Sequence, residues 1–202
     1  MTSRSMRWLS VLCFVSVVVQ ASAARAEEKG KSLFDGKSLD GWTVTDCKAE
    51  VEDGAIVLKE GNGMVRTNEK YGDFVLELET KALRSDVWDS GIYIRFDLPL
   101  PKGRPWPAKT QVNLFKGDEG GLKGHAKELV VATKPDGKHF KPGEWNKLRI
   151  TAKGDKVSVE LNGKEVASAE GLKPADGYIG LQAEVASGGQ FAFRNIRISD
   201  GK

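Results

Sequence analysis

Much of what usually classifies a protein is scarce in this 202-residue chain. It has two cysteines, Cys13 and Cys47, and two histidines, His125 and His139. Cys13 lies in a segment expected to be removed, so Cys47 would stand alone. An internal disulfide is then excluded, and Cys47 reads as a small buried hydrophobe. The histidines sit in loop-like stretches with no cysteine near them, so no transition-metal spacing is present. There is no glycine-rich phosphate loop and no nucleophile elbow. No segment sustains helical periodicity, and no stretch after residue 19 is apolar enough to cross a bilayer.

The N-terminus explains the apparent basicity. Arg4 and Arg7 precede an apolar run from Leu9 to Val19. Ala21-Ser22-Ala23 and Ala24-Arg25-Ala26 place small residues where a signal peptidase reads. Residues 1–26 are expected to be a signal peptide cleaved after Ala26, with Ala23 as the alternative site. Residues 27–202 would form one domain, secreted or periplasmic, with no membrane attachment after cleavage. The chain carries 31 basic and 28 acidic residues, a net charge of +3. Arg4, Arg7 and Arg25 leave with the leader, so the mature charge is near zero. Nucleic-acid binding loses its electrostatic motive. A chain of this size can bury roughly 70% of its unfolded surface in a single core.

What the chain does contain is alternation with period two, which puts successive side chains on opposite faces of a strand. Phe74, Leu76 and Leu78 show it. So do Ile92, Ile94 and Phe96, and Val112 and Leu114. Leu148, Ile150 and Ala152 repeat it, as do Val157, Val159 and Leu161, and Ile179 and Leu181. From Phe191 to Ile198 the apolar side switches partway. Asn162-Gly163 fits a two-residue type I′ hairpin. Asp53-Gly54, Asp136-Gly137 and Asp176-Gly177 mark further turns. Leu98 to Ala108 holds four of the seven prolines together with Trp106, and reads as a long loop over one end or face. Gly117 to Gly124 reads as a second loop. The pattern predicts an all-β, antiparallel two-sheet β-sandwich or jelly roll.

Particular residues add a resemblance. Leu33-Phe34-Asp35-Gly36-Lys37-Ser38-Leu39-Asp40-Gly41-Trp42 resembles the opening signature of the 3-keto-disaccharide hydrolases, a family with a concanavalin A-like lectin/glucanase jelly roll. Asp89-Ser90-Gly91-Ile92-Tyr93-Ile94-Arg95 resembles the family's Asn-Ser-Gly-Ile-x-x-Arg strand. Glu144-Trp145-Asn146, Leu161-Asn162-Gly163, Gly180-Leu181-Gln182 and Phe193 to Ile198 follow in the family's order. The similarity spans about Ser32 to Ser199. It implies action on carbohydrate. The chain departs from the pattern in three places. Lys109 stands where many relatives have Glu, Ala183-Glu184 where many have Asp-His, and Asp89 where Asn is usual.

Strand parity suggests where a site lies. If Ile92, Ile94 and Phe96 face the core, Asp89, Tyr93 and Arg95 face away. Lys109, Gln111 and Asn113 would do the same from the next segment, and Gln182 and Glu184 from a third. These polar faces are expected to converge on a sugar. Asp89 and Glu184 are the candidate acid and base, with Lys109 or Arg95 positioned to stabilise an enolate. Tyr93, Arg95, Gln111, Asn113, Gln182 and Trp106 are the candidate substrate-binding residues, Trp106 and Trp88 offering rings to a sugar face. Trp42 and Trp145 are expected as anchors. Glu77-x-Glu79 resembles the alternating acids of jelly-roll glucanases but lacks the third. Asp118 and Glu119 have no recognised calcium spacing, and no cofactor or metal is expected. Three readings follow: an exported enzyme acting on glycosidic bonds, a non-catalytic glycan-binding module, and a surface structural domain. The ligand is an oligosaccharide or glycoside in the first two.

Overall fold

The computed structural model describes residues 30–124, 129–187 and 190–201. The expected leader and His125 lie outside them. The strands are β1 (Lys31–Ser32), β2 (Trp42–Glu52), β3 (Ala55–Thr67), β4 (Phe74–Ala82), β5 (Gly91–Phe96), β6 (Gln111–Asn113) and β7 (Leu122–Lys123). They continue with β8 (Val130–Thr133), β9 (Asn146–Lys153), β10 (Lys156–Leu161), β11 (Lys164–Glu170), β12 (Tyr178–Glu184) and β13 (Phe191–Asp200). The described residues form an all-β, antiparallel structure. Hydrogen bonding runs in one path, β7-β6-β5-β12-β3-β13-β4-β9-β10-β11-β8, with β1 on β13 and β2 on β3.

β3 carries the path around a corner. Its Ile56 and Val57 pair with β13, whereas Asn62 to Arg66 pair with β12. The change falls at Gly61 and Gly63, where β2 bulges at Asp46. A Cβ at Gly63 would collide with the Thr45 carbonyl, so only glycine passes there. The hairpins behave as their turn residues dictate. Asn162 and Gly163 both have positive φ, 52° and 82°, and Asp53 and Gly54 repeat the arrangement between β2 and β3.

One face of the path closes on a single apolar cluster. Ile56, Val65, Leu76, Ile92, Ile150 and Phe193 are among its fully buried members. Each such side chain contributes about 1.5–3 kcal/mol of burial. The alternation holds in β4, β9 and β10. In β13 the switch of face occurs at a bulge between Arg194 and Arg197, where Asn195 has φ 54°.

β5 departs from expectation. Tyr178 pairs with Phe96 and Gly180 with Tyr93, so β5 holds one residue more than its partner. The extra residue is accommodated at Arg95, whose φ is 48°. Parity therefore breaks after Ile94. Phe96 joins Tyr93 and Met64 in a second apolar cluster on the outer face, against which Leu100, Trp106 and Tyr178 pack. This stretch of sheet is covered on both sides, by the core within and by the 98–108 segment without.

Arg95 is correspondingly not a ligand-facing residue. It is wholly buried. Its Nε donates to the Gly72 carbonyl (2.9 Å), Nη1 to the Gly154 carbonyl (2.6 Å) and Nη2 to Asp73 Oδ1 (2.9 Å). Burial pulls its pKa down, and Asp73 opposes that shift. Gly177 permits the bulge, because a Cβ there would strike the Arg95 and Phe96 backbone. Replacing Arg95 by leucine would remove the donor to the Gly72 and Gly154 carbonyls and to Asp73 from a wholly buried position. The variant is expected to lose about 3 kcal/mol of unfolding free energy, read by urea denaturation, and a loss too small to detect contradicts a structural role.

Candidate functional site

The outer faces of β5, β6 and β12 floor a cleft of about 520 Å³. β5 and β6 pair Gly91 with Asn113 and Tyr93 with Gln111; β12 pairs Gly180 with Tyr93 and Leu181 with Ile92. Side chains two residues apart on each strand face the same way, so these pairings stack polar groups in rows across the sheet. The β5–β6 ladder continues past the strand ends, with Leu114 N donating to Ser90 O (2.9 Å) and Lys116 N to Trp88 O (3.2 Å). That register sets Phe115 across from Asp89. On the other side Ser90 Oγ donates to Gln182 O at 2.7 Å. The β5–β12 register, continued by the same steps, brings Asp89 level with Glu184.

Six of the nine candidate residues floor this cleft: Asp89, Tyr93, Gln111, Asn113, Gln182 and Glu184. Trp106 forms a wall, its Nε1 donating to the Gly63 carbonyl at 3.0 Å. Two candidates do not reach it. Arg95 is buried in its bulge, as described above. Lys109 precedes Thr110, whose carbonyl accepts from Ile94 N in the β5–β6 ladder, and it is absent from the cleft lining. Trp88 also turns inward. It is buried against Phe140, and its Nε1 donates to Glu119 Oε1 at 3.0 Å.

The floor residues are linked. Gln111 Nε2 donates to Gln182 Oε1, and Gln182 Nε2 donates to Glu184 Oε2 at 2.8 Å. A carboxylate can only accept, so this chain of amides has one direction, ending on Glu184. Gln111 can cross the strand because residue 91 is glycine; a Cβ there would collide with its amide. Gln182 is buried, with both amide ends engaged. Its amide is bonded to Gln111 and Glu184 within the protein, where a contact with the ligand was expected. Asn113 Nδ2 donates to Asp118 Oδ2 (2.7 Å), which also pairs with Lys123 Nζ (2.9 Å).

The two carboxyls occupy unlike surroundings. Glu184 is held by Gln182. Asp89 makes no hydrogen bond among the described residues, and burial alone pushes its pKa up. Tyr93 lies near both. Burial pushes its phenol up, and the charges of Glu184 and Asp89 push it further, so the hydroxyl remains a donor across the working range.

Other candidate chemistry resolves into structural pairing. Glu77 pairs with Arg149 at 2.5 Å and Glu79 with Arg194 at 2.7 Å. They line a second depression of about 500 Å³ over β4, β9 and β10, whose acids and bases neutralise one another. Asp118 and Glu119 point apart, one to the Asn113 amide and one under Trp88. His139 Nε2 lies 3.6 Å from Asp136 Oδ1. Among the described residues no group of three His, Cys, Asp or Glu is placed to hold a metal. Trp42 donates to the Leu33 carbonyl (2.7 Å), and Trp145 lies 4.0 Å from the Arg194 guanidinium. Phe115 and Lys123, on the wall opposite Trp106, were missing from the expected site. Phe115 shares the parity of Gln111 and Asn113, and that signal could have found it.

Asp89 yields a pH-dependent prediction. A carboxyl whose folded pKa is raised opposes folding once pH exceeds its unfolded value of 3.8, because the unfolded chain gives up the proton first. Asp89→Asn is therefore expected to melt above the parent near neutral pH and level with it below 3.8. Scanning calorimetry across that range checks this; an unchanged melting temperature at neutral pH contradicts it.

Comparison with known proteins agrees with the fold. A Parabacteroides distasonis protein designated a candidate glycosyl hydrolase aligns with a TM-score of 0.65 at 22% identity, over 85% of this chain and 99% of that one. The carbohydrate-binding module CBM66 of Bacillus subtilis aligns with a TM-score of 0.57 at 16% identity, over 79% and 96%. The Emp46p carbohydrate recognition domain aligns with a TM-score of 0.56 at 15% identity, over 85% and 95%. No curated protein sequence matches the chain. The model of the 3-keto-disaccharide hydrolase family, described as a 3-keto-alpha-glucoside-1,2-lyase-like domain, matches residues 29–199. The chain belongs to that family.

Proposed function

We propose that this protein is an exported enzyme that cleaves the glycosidic bond of a 3-keto-glycoside, with the β7–β3 part of the sheet as the ligand-bearing layer of a jelly roll. The observation that supports it is a pair of carboxyls, side by side in one cleft, whose environments differ. Pairs of this kind divide into acid and base.

The chemistry follows from the substrate's ketone at C3, which acidifies the C2–H bond. Glu184, oriented by Gln182, takes that proton. The enolate oxygen that develops at C3 accepts from the Tyr93 hydroxyl, with the Gln111 amide beside it. The C1–O bond then breaks as the electron pair returns, and Asp89, whose acid form burial favours, donates a proton to the departing oxygen. The products are an unsaturated 3-keto sugar and the free alcohol; addition of water across the double bond completes a net hydrolysis. Tyr93 replaces Lys109 and Arg95, which lie away from the cleft, as the enolate's partner.

A non-catalytic glycan-binding module is the second reading. The exchange of the family's Glu for Lys109 and of its Asp-His for Ala183-Glu184 favours it. The two separate on one measurement, the conversion of a 3-keto-disaccharide by the purified protein, followed by NMR. Asp89→Asn and Glu184→Gln are each expected to lower turnover by at least ~100-fold while the dissociation constant stays within about threefold. Binding without turnover in the parent protein selects the second reading. Trp106→Ala is expected to weaken binding under either, and unaltered affinity in that variant would place the site elsewhere.

A further inference from the structure

We infer that Phe115 is the platform for the leaving group, and that the cleft selects glycosides whose aglycone presents a flat apolar face, an aryl group or a second pyranose ring. The inference rests on the enzymatic reading above and adds a direction to it.

The order of groups across the sheet carries the argument. Phe115 extends from β6, Asp89 from β5 and Glu184 from β12, in one row; Trp106 is tied to Gly63 of β3, next along the path. Adjacent strands lie about 4.8 Å apart, so the row spans roughly 14 Å from β6 to β3. That is enough for two rings joined by one glycosidic oxygen. The base must meet C2 of the sugar being cleaved, and the acid must meet the oxygen that leaves. Glu184 is on the Trp106 side and Asp89 on the Phe115 side. The cleaved sugar therefore lies towards Trp106, and the leaving group falls on Phe115.

The setting of Phe115 supports this independently. It is 48% exposed, the only aromatic among the exposed large hydrophobic side chains of the described residues. Yet the loop that presents it is braced from below. Asp118 N donates to the Phe115 carbonyl and Gly120 N to the Asn113 carbonyl. Glu119, 3% exposed, accepts from both Trp88 Nε1 and Gly117 N through Oε1, each at 3.0 Å. A buried carboxylate thus holds the loop that carries an exposed ring. Prior ordering of this kind lowers the entropic cost of binding. Sugar C–H faces and aryl rings both gain from packing on such a surface.

The test compares 3-keto-glucosides with methyl, phenyl and glucosyl aglycones by calorimetry, with Glu184→Gln as the background, because loss of the base stops the first step for every leaving group. In that background the phenyl and glucosyl compounds are expected to bind about tenfold more tightly than the methyl compound. Adding Phe115→Ala should weaken those two about five- to tenfold and leave the methyl compound within about twofold. Phe115→Trp should restore the preference, and circular dichroism confirms that each variant is folded. Equal weakening of all three ligands, or no weakening, overturns the inference. If Trp106→Ala weakens all three while Phe115→Ala leaves the preference intact, the enzymatic reading survives and the leaving-group platform does not. If no glycoside binds, both are overturned.

Discussion

One additional residue in β5 governs the layout of the molecule. By adopting a positive φ, Arg95 rotates the strand so that Phe96 faces outward beside Tyr93. That rotation creates the second apolar cluster, and the cluster gives the proline-rich segment a surface to rest on. Trp106 is consequently fixed above the sheet rather than left in solvent. The displaced guanidinium would be costly to bury alone. Two backbone carbonyls and the Asp73 carboxylate accept from it, which also joins the β9–β10 turn to the start of β4.

The cleft is a product of absences as much as of side chains. Gly91 leaves a bare patch that the Gln111 side chain crosses, and Gly180 leaves space that Met64 fills. The chain of amides from Gln111 through Gln182 to Glu184 depends on the first. The outer cluster beneath Trp106 depends on the second. Both glycines thus act through the close approach of neighbouring side chains, not through backbone freedom. Of the two carboxyls, Glu184 is tied down by the Gln182 amide, whereas Asp89 accepts no hydrogen bond among the described residues.

Period-two alternation revealed β4, β5, β6, β9, β10, β12 and β13, because burial on one face imposes that pattern directly on the sequence; β2 and β3 were not among the segments it marked. The Asn162-Gly163 hairpin was readable because its two residues must both take positive φ. The outward sets on β6 and β12 were readable for the same reason as the core. Arg95 was not: a bulge inserts one residue without altering composition, and parity counted from Ile92 then assigns Arg95 and Phe96 to the wrong faces. Lys109 was misplaced because it falls level with the Arg95 bulge, where β5 departs from regular alternation. The inward turn of Trp88 was hidden because its partner, Glu119, is 31 residues away. The unbroken hydrogen bonding around β3 depends on two glycines and a bulge in β2, none of which alters the hydrophobic pattern.

The bulge lies downstream of Asp89, between the carboxyl row and the 98–108 segment. Mismatch in strand length arising beyond Ile94 is therefore taken up at Arg95 and does not propagate back along the ladder. Insertions and deletions in the proline-rich wall can reshape the rim while Asp89 and Glu184 keep their alignment. Such an arrangement separates the part of the protein that is free to diversify from the part that must hold its geometry.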